Sequence, residues 1–159
     1  MIFVTVGGQG PFKRLVQTVD EWAAREGRAD VFAQVGATAH PPRHIEWQEF
    51  LSPGEFRRRV ADAELVISHA GMGTILTALE CETPILVMPR LASQGEQRND
   101  HQVDTANRLR EVAGIPVAAD ERELASRLSR LDEISLGALR GEGSRDALIA
   151  AIARFVRLP

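Results

Sequence analysis

The sequence predicts an α/β protein built on one parallel sheet of about six strands, with helices on both faces. Three observations support this fold class. Short apolar runs rich in Val, Ile and Leu recur along the chain, as expected for buried parallel strands. Most are followed by segments whose apolar residues repeat at helical spacing. Turns rich in glycine and proline separate the two kinds of segment.

The first strand is expected at 2–6, because this apolar, β-branched run is closed by Gly7 and Gly8. A helix at 11–25 follows, since Pro11 suits a first helical turn and the apolar residues after it keep the helical period. The link at 36–43 is too short and too rich in proline to be a helix. The other strands are predicted at 31–35, 44–51, 64–69, 84–89 and 115–119, and the other helices at 54–62, 73–82, 100–113, 121–131 and 145–157.

Composition indicates one globular domain of 159 residues, 44% hydrophobic and 26% charged. A net charge of -3 argues against a nucleic-acid-binding protein. The single cysteine, Cys81, excludes an internal disulfide and fits a reducing cytosol. No apolar run is long enough to span a bilayer, and the N-terminus has the pattern of a strand rather than a signal peptide. We therefore expect a cytoplasmic protein.

Two strand-to-helix turns are rich in glycine: Gly7-Gly8-Gln9-Gly10 and Gly71-Met72-Gly73-Thr74. In parallel α/β sheets, ligands bind beyond the carboxyl ends of the strands. A helix N-terminus offers unpaired N–H groups and a partial positive charge, which suit a phosphate, and glycine lets the phosphate approach the backbone. The alternative is that both turns are merely tight, and these residues alone do not decide between the two.

The common phosphate motifs do not fit these turns. A P-loop requires Gly-Lys-Ser/Thr after four residues, and neither turn has it. A dinucleotide fingerprint requires a third glycine, but that position is Leu76, and the second strand ends in Val35-Gly36 without an acidic residue.

A polar stretch at 89–109, after the strand at 84–89, favours a ligand site. It is dense in amide and carboxylate side chains, which recognise ligands rich in hydroxyl groups. It is also predicted at the same edge of the sheet as the glycine turns. A diphosphate beside a polyol suggests a nucleotide-sugar, although a solvated loop with Asn99 or Asp100 as a helix cap explains part of the pattern.

Three segments, in order, resemble the C-terminal, donor-binding half of GT-B glycosyltransferases of family 28: VTVGGQGPFKRLV, SHAGMGTILTALE and PILVMPRLASQGEQRNDHQ. The spacing of HAGMG to NDHQ fits the same family. The resemblance covers about residues 1–118. The chain is also similar to the small catalytic subunits of two-part enzymes that make exopolysaccharides or dolichol-linked N-acetylglucosamine. It implies a Rossmann-like domain that forms one half of a GT-B fold.

The resemblance also implies roles by position. The first glycine turn would line the cleft, residues after the third strand would border the base, and the second glycine turn would hold the diphosphate. The polar stretch would contact the sugar hydroxyls, through Asp100 and Gln102 in particular. The substrate-binding residues so implied are Gly7, Gly8, Gln9, Phe50, Leu51, His69, Gly71, Met72, Gly73, Thr74, Glu96, Arg98, Asn99, Asp100 and Gln102.

The chain departs from the family pattern at the ribose. Many relatives carry a glutamate eight residues after the histidine of HAGMG, where this chain has Thr77; Glu80 lies one turn further along. Thr77 and Glu80 are therefore the candidate ribose contacts. The catalytic base is not identified: His69 and His101 are candidates, and packing or ligand contact is the alternative for each.

The resemblance implies a glycosyltransferase of the hexosyltransferase type, with a UDP-sugar donor and no metal or other cofactor. No Asp-x-Asp metal motif is present, and a helix dipole would stabilise the departing diphosphate. The expected partner is a membrane-anchored subunit that binds a lipid-linked sugar acceptor and recruits this chain to the inner face of the membrane. The alternatives are a non-catalytic nucleotide-sugar-binding module and a stand-alone UDP-sugar hydrolase or epimerase.

The contact with this partner is predicted to involve the terminal helix at 145–157, which follows a linker at 134–145. Part of its apolar stripe, with residues near Gln9 and Phe12, would dock on the partner; without the partner, the chain would self-associate. The alternative is that the stripe packs on its own sheet. The stripe consists of Leu148, Ile149, Ile152, Phe155 and Val156.

Overall fold

The computed structural model describes residues 1–131, 149–150 and 152–154, apart from the side chain of Val112. Strands and helices alternate along the chain, as predicted. The strands are β1 Ile2–Thr5, β2 Val31–Gln34, β3 Glu46–Gln48, β4 Leu65–His69 and β5 Ile85–Met88. The helices are α1 Lys13–Glu26, α2 Pro53–Asp62, α3 Met72–Glu80, α4 His101–Ala113 and α5 Glu121–Leu128, with a 3₁₀ turn at Ala92–Gln94.

The five strands form one parallel sheet in the order β3-β2-β1-β4-β5. The central strand β1 pairs with β2 on one side and with β4 on the other, so that Val4 faces both Ala33 and Ile67. The chain runs from β1 outward to β3 and then returns to β4 on the opposite side of β1. This reversal opens a crevice beyond the carboxyl ends of β1 and β4, the usual ligand site of such sheets.

Apolar layers cover both faces of the sheet, which confirms the predicted fold class. Ile2 and Val4 of β1 face a layer that contains α1 and α5. Phe3 faces the opposite layer, which contains residues of α2, α3 and α4. Its ring stacks on Phe32 at 6.3 Å between centroids and meets Phe56 edge-on at 5.6 Å. Alternate residues of β1 therefore anchor the two layers.

The helix α2 begins with a complete capping box beside the carboxyl edge of the sheet. The Ser52 hydroxyl accepts from the Glu55 N–H, and the Glu55 carboxylate accepts from the Ser52 N–H. Pro53 occupies the first helical turn, where its missing N–H costs nothing. These local signals fix where the segment 49–52 ends and place α2 next to the crevice.

The predicted third strand, at 44–51, is only three residues long, because a distant carboxylate takes its backbone donors. Asp20 of α1 is buried and accepts from the N–H groups of Arg43, His44 and Ile45 at 2.8–3.1 Å. Those N–H groups are thereby removed from any ladder with β2. The strand begins only at Glu46, and all three of its residues are exposed.

The predicted sixth strand, at 115–119, is reduced to one bridge. Val117 pairs with Val87 of β5. Two backbone hydrogen bonds hold it there, from the Val87 N–H to the Pro116 carbonyl and from the Ala118 N–H to the Val87 carbonyl. Pro116 has no N–H to extend the ladder, so the segment stays at the edge of a five-stranded sheet.

The described part of the C-terminal segment is helical at 149–150 and 152–154. Ile152 is buried, and Ile149 packs against the same apolar layer as α3 and α4. These two positions of the predicted stripe therefore pack on the chain's own sheet. The linker at 134–145 and the positions Leu148, Phe155 and Val156 lie outside the described residues. Among the residues described, no helix has the length and apolarity to cross a membrane.

Candidate functional site

A cleft of about 510 Å³ opens at the carboxyl edge of the sheet, between the end of β1 and the starts of α2 and α3. It coincides with the crevice that the strand order creates. Seven of the residues predicted from the sequence line it: Gly7, Gly8, Phe50, Leu51, Gly73, Thr74 and Thr77. Four lining residues were not predicted: Gln34, Pro53, Phe56 and Arg57. The topology thus brings both glycine turns and the proposed base-binding segment to one cavity.

The helix α3 directs an uncapped N-terminus at this cleft. Gly71 is its N-cap residue, and no side chain accepts a hydrogen bond from the first turn. A Cβ atom added to Gly73 would have no atom within 4 Å, so the space above this turn is open. The free N–H groups of Met72, Gly73 and Thr74 carry the positive end of the helix dipole. Such a turn is suited to bind an anionic group.

Two of the other glycines make room for a side chain rather than for a ligand. A Cβ atom on Gly7 or on Gly71 would overlap the imidazole ring of His69. The ring is held between the two glycine turns, and Gly7 has a positive φ of 74°. The sequence-based explanation, that these glycines clear space for a diphosphate, therefore does not hold for Gly7 and Gly71, whereas the space is open at Gly73 and at Gly8.

His69 is neutral at physiological pH. Burial and, to a smaller extent, the positive charge of Arg90 lower the pKa of its imidazole to about 4, against the opposing effect of a hydrogen bond with the Thr5 backbone. Its Nδ1 lies 3.3 Å from the Ser68 hydroxyl. An imidazole of such low pKa is a weak general base at pH 7. Its catalytic role stays a prediction, as does that of His101, which is exposed at the start of α4.

A buried polar pair forms the floor of the cleft. The Thr5 hydroxyl donates to Gln34 Oε1 at 2.6 Å and accepts from the Gly7 N–H at 3.2 Å. Gln34 Nε2 donates to the carbonyls of Glu49 and Gly7. The pair thus ties the first glycine turn to the segment that precedes Phe50. The sequence signal was available, because Gln34 is a polar residue inside an otherwise apolar strand.

The outer end of the cleft is lined by apolar side chains and one positively charged side chain. Phe50 is 58% exposed, and Leu51, Pro53 and Phe56 complete an open slot beside it. Arg57 lines the same end and donates to Glu80 Oε2 at 2.7 Å. This pair is solvent-exposed on both sides.

The two candidate ribose contacts differ in position. Thr77 lines the cleft, and its hydroxyl donates to the Gly73 carbonyl at 2.8 Å. Glu80 does not line it and is paired with Arg57 instead. Contact of either residue with a ribose stays a prediction.

The polar stretch is organised mainly by its own hydrogen bonds and does not line the cleft. Both oxygens of Glu96 accept from Arg14, and one also accepts from the Leu91 N–H. Asp100 accepts from the Ala92 N–H, and Asn99 accepts from the His101 N–H. Both carboxylate oxygens of Glu96 therefore bind the protein itself, at Arg14 and at the loop after β5.

Arg98 and Gln9 are exposed, and Gln102 is buried with its Oε1 bonded to the Arg90 N–H. Only Nε2 of the Gln102 amide is left to reach a ligand. The predicted substrate contacts in the polar stretch are thus not brought together with the cleft residues, and these contacts stay predictions.

Arg90 is the functional candidate that sequence reasoning missed. It follows β5, is 1% exposed, and its guanidinium lies 4.8 Å from the ring centroid of Phe12. Burial lowers the pKa of the guanidinium, and the Glu96 carboxylate opposes this effect. Phe12 is itself 1% exposed, so it is not the docking contact that the sequence suggested. A charged residue directly after an apolar strand was the only sequence signal.

The described residues contain no group of three or more His, Cys, Asp or Glu side chains placed to hold a metal ion. Metal-free chemistry stays an expectation from the resemblance.

Comparison with known families matches the model of the glycosyltransferase family 28 C-terminal domain to residues 1–137. The chain belongs to this family. The resemblance inferred from the HAGMG and NDHQ motifs is thereby confirmed.

Solved structures of glycosyltransferases share the fold. MurG of Acinetobacter baumannii aligns with 96% of this chain and 49% of its own length, at 16% identity and a TM-score of 0.60. The glycosyltransferase SnogD of Streptomyces nogalater aligns with 99% of this chain and 40% of its own, at 18% identity and a TM-score of 0.59. A solution structure of ALG13 aligns with 83% of this chain and 85% of its own, at 20% identity and a TM-score of 0.58.

The chain therefore spans less than half the length of MurG and SnogD, but most of the ALG13 structure. At these identities the likeness shows the fold alone. The predicted Rossmann-like half of a GT-B fold is confirmed.

Proposed function

We propose that this chain is the donor-binding subunit of a two-component hexosyltransferase, which moves a sugar from a UDP-sugar to a lipid-linked acceptor held by a membrane-anchored partner. The observation that carries the proposal is the uncapped N-terminus of α3, which faces an open cleft beside the exposed ring of Phe50. An anionic diphosphate and a planar base are the two chemical features that this cleft fits. Membership of the family supports a sugar nucleotide as the ligand.

In the proposed reaction, the bond between the anomeric carbon and the diphosphate oxygen breaks, and an acceptor hydroxyl oxygen bonds to that carbon. Negative charge develops on the departing UDP. In this proposal the N–H groups of Met72, Gly73 and Thr74 stabilise it, because they lie at the start of α3 beside the cleft and are fixed before the reaction. The acceptor proton passes to a base that the described residues do not identify.

The proposed division into two chains is supported by the family and by the match to ALG13, which extends over most of both chains. We propose that the acceptor site is supplied by a separate membrane-anchored subunit, which recruits this chain to the inner face of the membrane. The exposed Gln9 at the rim of the first glycine turn is one candidate contact.

Calorimetric titration of the purified chain with UDP, UMP, GDP and a set of UDP-sugars tests the donor site. UDP and at least one UDP-sugar are expected to bind, and UMP more weakly by at least tenfold, because it lacks the second phosphate. Equal affinity for UMP and UDP would contradict the placement of a diphosphate at α3. Tighter binding of GDP would contradict the uracil assignment.

A transfer assay tests the two-component proposal. Membranes that contain the candidate partner and a lipid-linked acceptor are expected to incorporate sugar only when this chain is added. Transfer by this chain with acceptor and detergent alone would contradict the proposal. Hydrolysis or epimerisation of a UDP-sugar by the chain alone would favour the stand-alone enzyme.

A further inference from the structure

Arg90 connects the end of β5 to the loop between β1 and α1. Its guanidinium donates three hydrogen bonds of 2.8 Å, to the carbonyl oxygens of Val6, Gly10 and Pro11. All three acceptors belong to the loop that contains the first glycine turn. Since a guanidinium offers donors in a fixed planar arrangement, it holds these carbonyls at a defined spacing.

Those three bonds engage carbonyls of the loop and leave its N–H groups as the groups that can bind a ligand. The carbonyls at both ends of the turn point inward to Arg90, and the Gly7 N–H is bonded to the Thr5 hydroxyl. Among the described residues, none accepts a hydrogen bond from the N–H groups of Gly8, Gln9 or Gly10. Gly8 lines the cleft. The loop therefore has the carbonyls of Val6, Gly10 and Pro11 bonded to Arg90 and keeps N–H donors for a ligand.

Packing alone does not explain an arginine at this position. The residue is 1% exposed, and its Nε has no hydrogen-bond partner. Burying a charged group with an unmet donor costs free energy that an apolar side chain of similar size would not cost. This cost favours a role for Arg90 in bonding the carbonyls of the loop, beyond its packing.

The backbone of Arg90 extends this connection to a second predicted contact. Its N–H donates to Oε1 of the buried Gln102, at the start of α4. The side chain and backbone of one residue thus link the first glycine turn to the side chain predicted to contact the sugar.

We propose that Arg90 is a positioning residue, which holds the loop at Gly7–Gly10 so that its free N–H groups face the oxygens of a bound donor. This inference rests on the proposed function of the cleft. Arg90 does not touch the ligand; it acts through the backbone that does.

The test compares Arg90→Lys with Arg59→Lys in the full chain. Lysine keeps the charge but presents its donors from one point, so it cannot bond all three carbonyls. Arg59 is a matched control, because its guanidinium also stacks on an aromatic ring, Phe32 at 3.7 Å. It lies beside Met1, at the opposite edge of the sheet from the cleft.

UDP affinity, urea unfolding and backbone amide NMR shifts are measured for both variants. Arg90→Lys is expected to fold, to bind UDP at least tenfold more weakly and to shift the amide signals of Gly8, Gln9 and Gly10. Arg59→Lys is expected to keep the UDP affinity and those shifts. In Arg90→Ala, methylguanidinium is expected to restore UDP binding, whereas methylammonium is not.

An Arg90→Lys variant that binds UDP within twofold of the wild type would overturn the proposal. Failure of that variant to fold would also overturn it, because the residue would then serve the fold rather than the site. Should the wild type bind no UDP, the proposed function fails instead, and the amide shifts alone decide whether Arg90 positions the loop.

Discussion

The partly buried imidazole of His69 makes the stability of this protein depend on pH in a defined window. In the unfolded chain its pKa is 6.5, and in the fold burial and the charge of Arg90 lower the pKa to about 4. Between these values the unfolded state binds more protons, so the free energy of unfolding falls as the pH falls from 6.5 to 4. A shift of this size corresponds to roughly 3 kcal/mol at about 1.4 kcal/mol per pH unit.

Urea unfolding, followed by the fluorescence of the buried Trp22, measures this dependence. The comparison is between the wild type and His69→Gln at intervals from pH 7.5 to pH 4, so that carboxylate titration cancels in the difference. The wild type is expected to lose ~3 kcal/mol more than the variant over this range. His101→Gln, which removes an exposed imidazole, controls for loss of a histidine. A difference that stays constant with pH, or an imidazole NMR titration centred near 6.5, would refute the reasoning.

Four further substitutions test separate parts of the structure. Gly71→Ala places a Cβ atom against the His69 ring and should lower the free energy of unfolding by ~1–3 kcal/mol. Gly73→Ala places its Cβ atom in open space and should raise the free energy of unfolding by up to ~1 kcal/mol. Equal effects of the two substitutions in urea unfolding would contradict this geometry. Asp20→Ala leaves three backbone N–H groups without their acceptor and should lower the free energy of unfolding by about 2 kcal/mol. An unchanged urea midpoint would show that water replaces the carboxylate. Gln102→Ala should weaken a UDP-sugar more than UDP by ~1 kcal/mol in calorimetry; equal losses would place Gln102 away from the sugar.

Local pattern was sufficient to predict most of the fold. Helices and buried strands have periodic sequences and explicit ends, such as the capping box at Ser52 and Glu55, and their bounds differ from the prediction by only a few residues. The third strand was overestimated because its donors are taken by Asp20, more than twenty residues earlier in the chain. No local pattern shows such a contact, since it exists only once α1 packs beside the loop.

The candidate site was predictable in position but not in its internal contacts. The glycine turns and the segment at Phe50 and Leu51 converge as expected, because the carboxyl ends of parallel strands share one edge. What Gly7 and Gly71 accommodate depends on the rotamer of His69, which the sequence does not specify. The role of Arg90 likewise depends on three backbone carbonyls about eighty residues away in the chain.

The most direct test of the central claim is calorimetric titration of UDP into the wild type and Gly73→Asp. The substitution puts a carboxylate where the diphosphate is proposed to bind, in a turn whose surrounding space is open. The wild type should bind UDP, and the variant should bind it at least thirtyfold more weakly, a loss of about 2 kcal/mol, while the two unfold at the same urea concentration. Equal UDP affinity in a folded variant would contradict a diphosphate site at the start of α3.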